Sequence, residues 1–175
     1  MTEYFSMLLF LDTEFTGLHL NPDLISLGIV DETGQRSFYA ELSEESYRLR
    51  CTDWVVENVL PLLEGGDSVL PINELRIRLQ EWIESFGDRA MLITDSPDYD
   101  FELIKLLFAG SWPSNLAKQP MQFDSYAMGE DRQPSLERTM QSYHSPERPE
   151  HHALHDAFAL RAGMMAALEL GWWPQ

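Results

Sequence analysis

An apolar run, Leu8-Leu9-Phe10-Leu11, ends in Asp12-Thr13-Glu14-Phe15-Thr16-Gly17, and this segment constrains the chain more than any other. The run reads as a β-strand buried on both faces. Alternate residues of a strand point to the same side, so Asp12 and Glu14 converge at its end. Two carboxylates held together repel each other. The fold tolerates them if a cation lies between them, if one takes up a proton, or if both are solvated at an ordinary strand end. Where a cation is the answer, hard oxygen ligands of this kind suit Mg²⁺ or Mn²⁺.

The chain has 175 residues, 44% of them hydrophobic. That is enough for one substantial core and too few for two, so residues 1–175 are read as one domain. No apolar run reaches the roughly 18 residues of a membrane span. The start, Met1-Thr2-Glu3-Tyr4, lacks the basic residues of a secretory signal. No membrane partner and a cytoplasmic location are therefore expected. A single cysteine, Cys51, excludes an internal disulfide and a multi-cysteine zinc site, and between Arg50 and Thr52 it reads as a packed thiol. With 29 acids against 12 bases the formal charge is −17, which repels a polyanion at long range and disfavours tight, sequence-indifferent duplex binding. Screening over about 8 Å at physiological salt still lets bound cations and local arginines reverse that field within a cleft.

Strands are predicted at Met7 to Asp12, Leu24 to Val30 and Arg36 to Leu42, with Asp31-Glu32-Thr33-Gly34 as the turn between the last two. Helices follow over Asp53 to Leu63 and over Asn73 to Phe86. The second carries Leu75, Leu79, Trp82, Ile83 and Phe86 on one stripe, with Asn73 as N-cap. A fourth strand, Ala90 to Thr94, leads into a helix from Tyr99 to Phe108. Met121-Gln122-Phe123 supplies a fifth strand, Ser135 to Tyr143 a helix after Pro134, and His152 to Leu170 the last helix. Three antiparallel strands followed by β-α units imply an α/β fold with one mixed, five-stranded sheet flanked by helices.

Two further acidic sites stand at helix starts. Asp100 lies in the first turn of its helix, where the dipole alone favours an acid. Asp98 reads as that helix's N-cap and Asp95 as a loop acid. His151-His152-Ala153-Leu154-His155-Asp156-Ala157 opens the last helix. On a continuous helix His151 and Asp156 would lie about 140° apart and could not share a site. With His151 on the preceding loop, both can face one cleft.

Taken together these segments resemble the DEDDh-type 3′-to-5′ exonucleases of the ribonuclease-H-like fold, the group that includes polymerase proofreading subunits, ribonuclease T and oligoribonuclease. The first motif of that family is similar to Asp12-Thr13-Glu14-Phe15-Thr16-Gly17-Leu18, the second to Asp95-Ser96-Pro97-Asp98-Tyr99-Asp100, and the third, H-x-A-L-x-D-A, to residues 151–157. The order and spacing agree over most of the chain. Asp95-Ser96 departs from the His-Asn that the family usually places before its second aspartate, and Phe15 from its usual threonine.

The resemblance implies a ribonuclease-H-like fold and metal-dependent hydrolysis of single-stranded 3′ ends, releasing nucleoside 5′-monophosphates, with RNA slightly preferred over DNA. Two Mg²⁺ or Mn²⁺ ions would be held by Asp12, Glu14, Asp100 and Asp156, with Asp12 bridging. His151 would be the general base, Leu18 a wedge against the terminal base or else a loop-packing residue, and Thr16 a surface along the terminal nucleotide. The expected partner is a single-stranded RNA or DNA 3′ end, and a homodimer is left open. The rival readings are a catalytically silent ribonuclease-H-like module, an acidic interaction domain, and a zinc site on the i, i+4 pair His151 and His155. His155 itself reads as a surface residue. Tyr143-His144 and Trp172-Trp173 read as packing aromatics or as stacking platforms for bases.

Overall fold

The computed structural model describes residues 7–172. Six strands, β1 (Met7–Phe15), β2 (Leu24–Asp31), β3 (Ser37–Leu42), β4 (Val69–Leu70), β5 (Ala90–Thr94) and β6 (Met121–Gln122), form one sheet in the order β4-β3-β2-β1-β5-β6. The β1-β2-β3 meander is antiparallel, and β5, β6 and β4 join their neighbours in parallel. The turn from β2 to β3 is closed by Asp31, whose carboxylate accepts hydrogen bonds from Thr33 Oγ1 and from the amides of Gln35 and Arg36.

Side-chain alternation along β1 divides the core in two. Leu9 and Leu11 face a layer of three helices, α1 (Asp53–Asn58), α2 (Ile72–Glu84) and α3 (Asp100–Leu107), through Val55, Leu75, Leu79, Ile83 and Ile104. Phe10 faces α4 (Gln133–Gln141) and α5 (Ala153–Glu169), through Leu136, Ala157, Leu160 and Met164. The architecture is a mixed α/β sheet with helices on both faces, compatible with a ribonuclease-H-like fold. Among the described residues no helix is long and apolar enough to cross a membrane.

Several local expectations need correction. The sheet has six strands rather than five, because Val69-Leu70 pairs with Glu41-Leu42 after a Gly65-Gly66 turn. The helix expected to reach Leu63 stops at Asn58, and Leu60–Leu62 forms a 3₁₀ turn around Pro61, which has no N–H to continue an α-helical ladder. α2 begins one residue before Asn73, with Pro71 rather than Asn73 at the N-cap. Pro134 falls inside the first turn of α4 instead of preceding it, where its fixed φ suits a helix start. Tyr99, not Asp98, is the N-cap of α3.

Candidate metal and active site

Asp12 and Glu14 follow Phe10 at steps of two, so both carboxylates stand on the α5 face of β1. The pairing of β1 with β5 stops at Phe10↔Ile93, whereas its pairing with β2 continues to Phe15↔Leu24. The two acids thus occupy the stretch of β1 that has lost its neighbour on one side. Asp100, at the first position of α3, reaches this opening from the opposite layer and is only 1% exposed. Its Oδ1 accepts hydrogen bonds from the Thr13 amide (3.2 Å) and Thr13 Oγ1 (2.6 Å), and its Oδ2 accepts one from Thr94 Oγ1. These donors hold a buried carboxylate in one orientation.

The third segment arrives through close backbone contact. A Cβ on Gly28, opposite Asp12 on β2, would overlap the backbone of Ala153 and Leu154, so only glycine lets the start of α5 settle against the sheet at that point. His151 lies outside α5, which begins at Ala153, and its φ of 66° is left-handed, a conformation uncommon for a non-glycine residue. That turn carries the chain off the helical path and removes the azimuthal separation from Asp156. The His151 amide donates to Asp156 Oδ2 at 2.8 Å, while His144 Nε2 lies 3.4 Å from Asp156 Oδ1. The His151 ring packs edge-on against Trp54, with centroids 4.9 Å apart.

The possible ligand atoms form two groups, Glu14 with His151 and Asp156, and Asp12 with Asp95 and Asp100; within each, the atoms lie within 4.8 Å of one another. Asp95, read from sequence as a loop acid, therefore belongs to the cluster. Burial raises the Asp12 carboxyl well above its usual range, and Asp100, Asp156 and Glu14 push it further. Glu14 is pushed up to about 8 by burial and by Asp156 and Asp100. Asp100 and Asp156 both rise to about 7, chiefly through desolvation, against the opposing hydrogen bonds from Thr13 and Thr94 and from the His151 amide respectively. The carboxyl of Asp95 is also raised by desolvation of its cleft-facing end, although the residue as a whole is exposed. The neighbours acting most strongly on Asp12 and Glu14 are all acids. A set of carboxylate oxygens plus one imidazole, compressed so that acids act most strongly on acids, fits hard divalent cations.

Two depressions meet here. A polar cleft of about 720 Å³ contains Asp12, Asp95, Asp156, Tyr126 and Arg138, and an apolar groove of about 630 Å³ is bounded by Glu14, Phe15, Leu18, Trp54 and Val59. His151 lines both. Leu18 is 79% exposed at the mouth of the groove, and Phe15 stacks on Tyr99 with centroids 4.9 Å apart.

The expectation for Thr16 is corrected. Its side chain is fully buried, and its Oγ1 accepts from the Asp23 amide at 3.0 Å, so it ties down the loop that carries Leu18 and offers no surface to a nucleotide. His155 is half-buried rather than a freely exposed surface residue. Its ring stacks on the buried His152 at 4.2 Å, and His152 in turn stacks on Tyr39 at 4.6 Å. His151 and His155 thus belong to different clusters, which removes the basis for a shared zinc site. Tyr143 packs face to face with Phe158, and Trp172 receives Arg132, so both are packing aromatics; Trp173 lies outside the described residues. Burial pushes the Cys51 thiol up, and it donates to the Tyr47 carbonyl, as suits a packed thiol.

Sequence reasoning missed Asp95, Gly28 and the two threonines that hold Asp100. Gly28 left a signal as a lone glycine inside an otherwise apolar strand, and Asp95 left one as the acid that departs from the second motif; the two threonines left none. No family model matches the chain, and no curated protein matches its sequence.

Proposed function

We propose that this protein is a metal-dependent 3′-to-5′ exonuclease that removes nucleoside 5′-monophosphates from single-stranded 3′ ends, with RNA slightly preferred over DNA, in the cytoplasm. The observation that carries this reading is the convergence of acids from three distant segments into two adjacent ligand groups beside a histidine. Asp12, Glu14, Asp100 and Asp156 would hold two Mg²⁺ or Mn²⁺ ions. When bound, such ions neutralise charge that builds on the phosphate and the leaving oxygen, and they lower the pKa of water. The Thr13 and Thr94 hydroxyls keep Asp100 in place for that task.

His151 would take the proton from the attacking water at its imidazole. The water oxygen forms the new bond to phosphorus, the bond from phosphorus to the 3′ oxygen breaks and that oxygen takes a proton from solvent, and the terminal nucleotide departs with the phosphate on its 5′ oxygen. The Trp54 edge contact and the left-handed backbone at residue 151 limit how far that ring can swing. The apolar groove behind Leu18 has the chemistry to receive a base.

The test is incubation of 5′-labelled single-stranded RNA and DNA of matched sequence with the protein in Mn²⁺. A ladder shortening one nucleotide at a time from the 3′ end, with circular single strands left intact, is expected. No shortening of either strand, or cutting of the circle, overturns the reading.

A further inference from the structure

We propose that Arg138 and Tyr126 form the subsite for the nucleotide on the 5′ side of the scissile linkage, with the guanidinium on its phosphodiester and the phenol ring under its base. The proposal rests on the exonuclease reading for the direction of the strand. The apolar groove and the polar cleft meet at His151, and the ligand groups lie at that junction. With the terminal nucleotide at Leu18 and the scissile phosphate at the acids, the polar cleft is the continuation of the groove on the far side of the acids and offers the remaining strand a path.

In that cleft Arg138 is the sole Lys or Arg, facing Asp95, Glu137, Glu150 and Asp156. Most bases of the chain are committed elsewhere. Arg48, Arg50, Arg78 and Lys105 pair with carboxylates, Arg36, Arg132 and Arg148 lie over aromatic rings, and Arg161 donates to the Glu32 carbonyl. The Arg138 guanidinium makes no hydrogen bond or ion pair among the described residues, although carboxylates share its cleft. A planar fork held open in this way suits a phosphodiester, which accepts two parallel hydrogen bonds. Tyr126, 72% exposed in the same cleft, offers an unused ring face, and stacking of a base on an aromatic ring tolerates any sequence. On a chain carrying a net charge of −17, one correctly placed cation decides where the backbone can lie.

The experiment compares a single strand with all-phosphate linkages and the same strand carrying one neutral methylphosphonate at the linkage 5′ to the scissile one, with wild type, Arg138→Ala, Arg138→Lys and Tyr126→Ala. Hydrolysis is read in Mn²⁺, and equilibrium binding in Ca²⁺. Loss of a charge-assisted hydrogen bond lowers kcat/KM about 10- to 100-fold. Wild type should lose that much on the methylphosphonate strand, and Arg138→Ala should lose it on the phosphate strand through KM and lose nothing more on the neutral one. Arg138→Lys should recover part of the loss, and Tyr126→Ala should weaken both strands equally. If hydrolysis proceeds and the two losses simply add, or Arg138→Ala is silent, the subsite is wrong and the exonuclease reading stands. If no strand is cut but binding keeps the same non-additive pattern, the subsite stands and the exonuclease reading falls. Absence of both cutting and binding overturns both.

Discussion

Replacing Asp12 by asparagine should make the metal-free protein more stable, and increasingly so as pH rises. Asp12, Asp95 and Asp100 bring their carboxylate oxygens within 4.8 Å of one another. At an effective dielectric constant near 20, one such pair of unit charges repels by roughly 3.5 kcal/mol. Without a cation the folded chain escapes this by keeping protons. That is why burial and like charge raise Asp12 well above the usual range, with Glu14 at about 8 and Asp100 and Asp156 at about 7.

The sign follows from proton linkage. The folded state holds protons that the unfolded chain, with carboxylate pKa values near 4, has already released. The contribution of these groups to stability is therefore greatest in acid. It falls as pH rises from about 4, and the full penalty is reached above the folded values of about 7 to 8. Asparagine carries no charge and removes a carboxyl whose proton the folded state holds well above its usual range, worth up to about 1.4 kcal/mol per pH unit. Between pH 5 and pH 7 the advantage of Asp12→Asn over wild type should grow by about 2 to 3 kcal/mol. For a chain of this size that is a widening of the Tm difference by about 5 to 10 °C. The assay is thermal unfolding of both proteins in chelator at the two pH values. Parallel Tm curves, or a variant less stable than wild type at both, would refute the claim that these carboxylates share one compressed field.

Three other outcomes are expected. Millimolar Mn²⁺ or Mg²⁺ should raise the wild-type Tm by mass action, and by more at pH 8 than at pH 6, because the groups at about 7 to 8 must release protons before they can ligate; a shift independent of pH would argue against ligation by these acids. His151→Ala should lower kcat by about 10² to 10⁴-fold while the Mn²⁺-induced rise in Tm survives, and loss of that rise would make His151 a ligand rather than a base. Gly28→Ala should cost about 1 to 3 kcal/mol by forcing the start of α5 off the sheet, and should weaken the Mn²⁺ effect as His151 and Asp156 move with it; an unchanged response would show that α5 is not what positions them.

The parts of this architecture legible in the sequence are those fixed by local periodicity. The apolar runs of β1, β2 and β5 declared themselves, and alternation alone put Asp12 and Glu14 on one side of β1. β4 was not legible, because two residues following a pair of glycines carry no period; their strand character exists only through pairing with β3. Pro71 at the start of α2 and Pro134 inside α4 show the same limit, since a proline marks a helix boundary without saying on which side the helix lies. Thr16 illustrates a different one. Nothing local distinguishes a hydroxyl that closes a loop from one offered to a ligand, and the hydrogen bond from the Asp23 amide decides it.

Asp95 is the residue where that limit bears on chemistry. Its neighbours Ser96, Pro97 and Asp98 and its place after β5 suggest only a polar loop, and the long-range fact that matters is where the loop returns. Because β5 pairs with β1 only as far as Phe10↔Ile93, the chain leaving Thr94 emerges beside Asp12, and a side chain at position 95 falls among the ligand atoms. An acid there enlarges the negative field that a cation has to offset, and it adds one more oxygen with which to hold that cation. An acid at this edge of the cleft therefore favours a cation over an anionic group, whereas Arg138 is the one Lys or Arg that lines the same cleft.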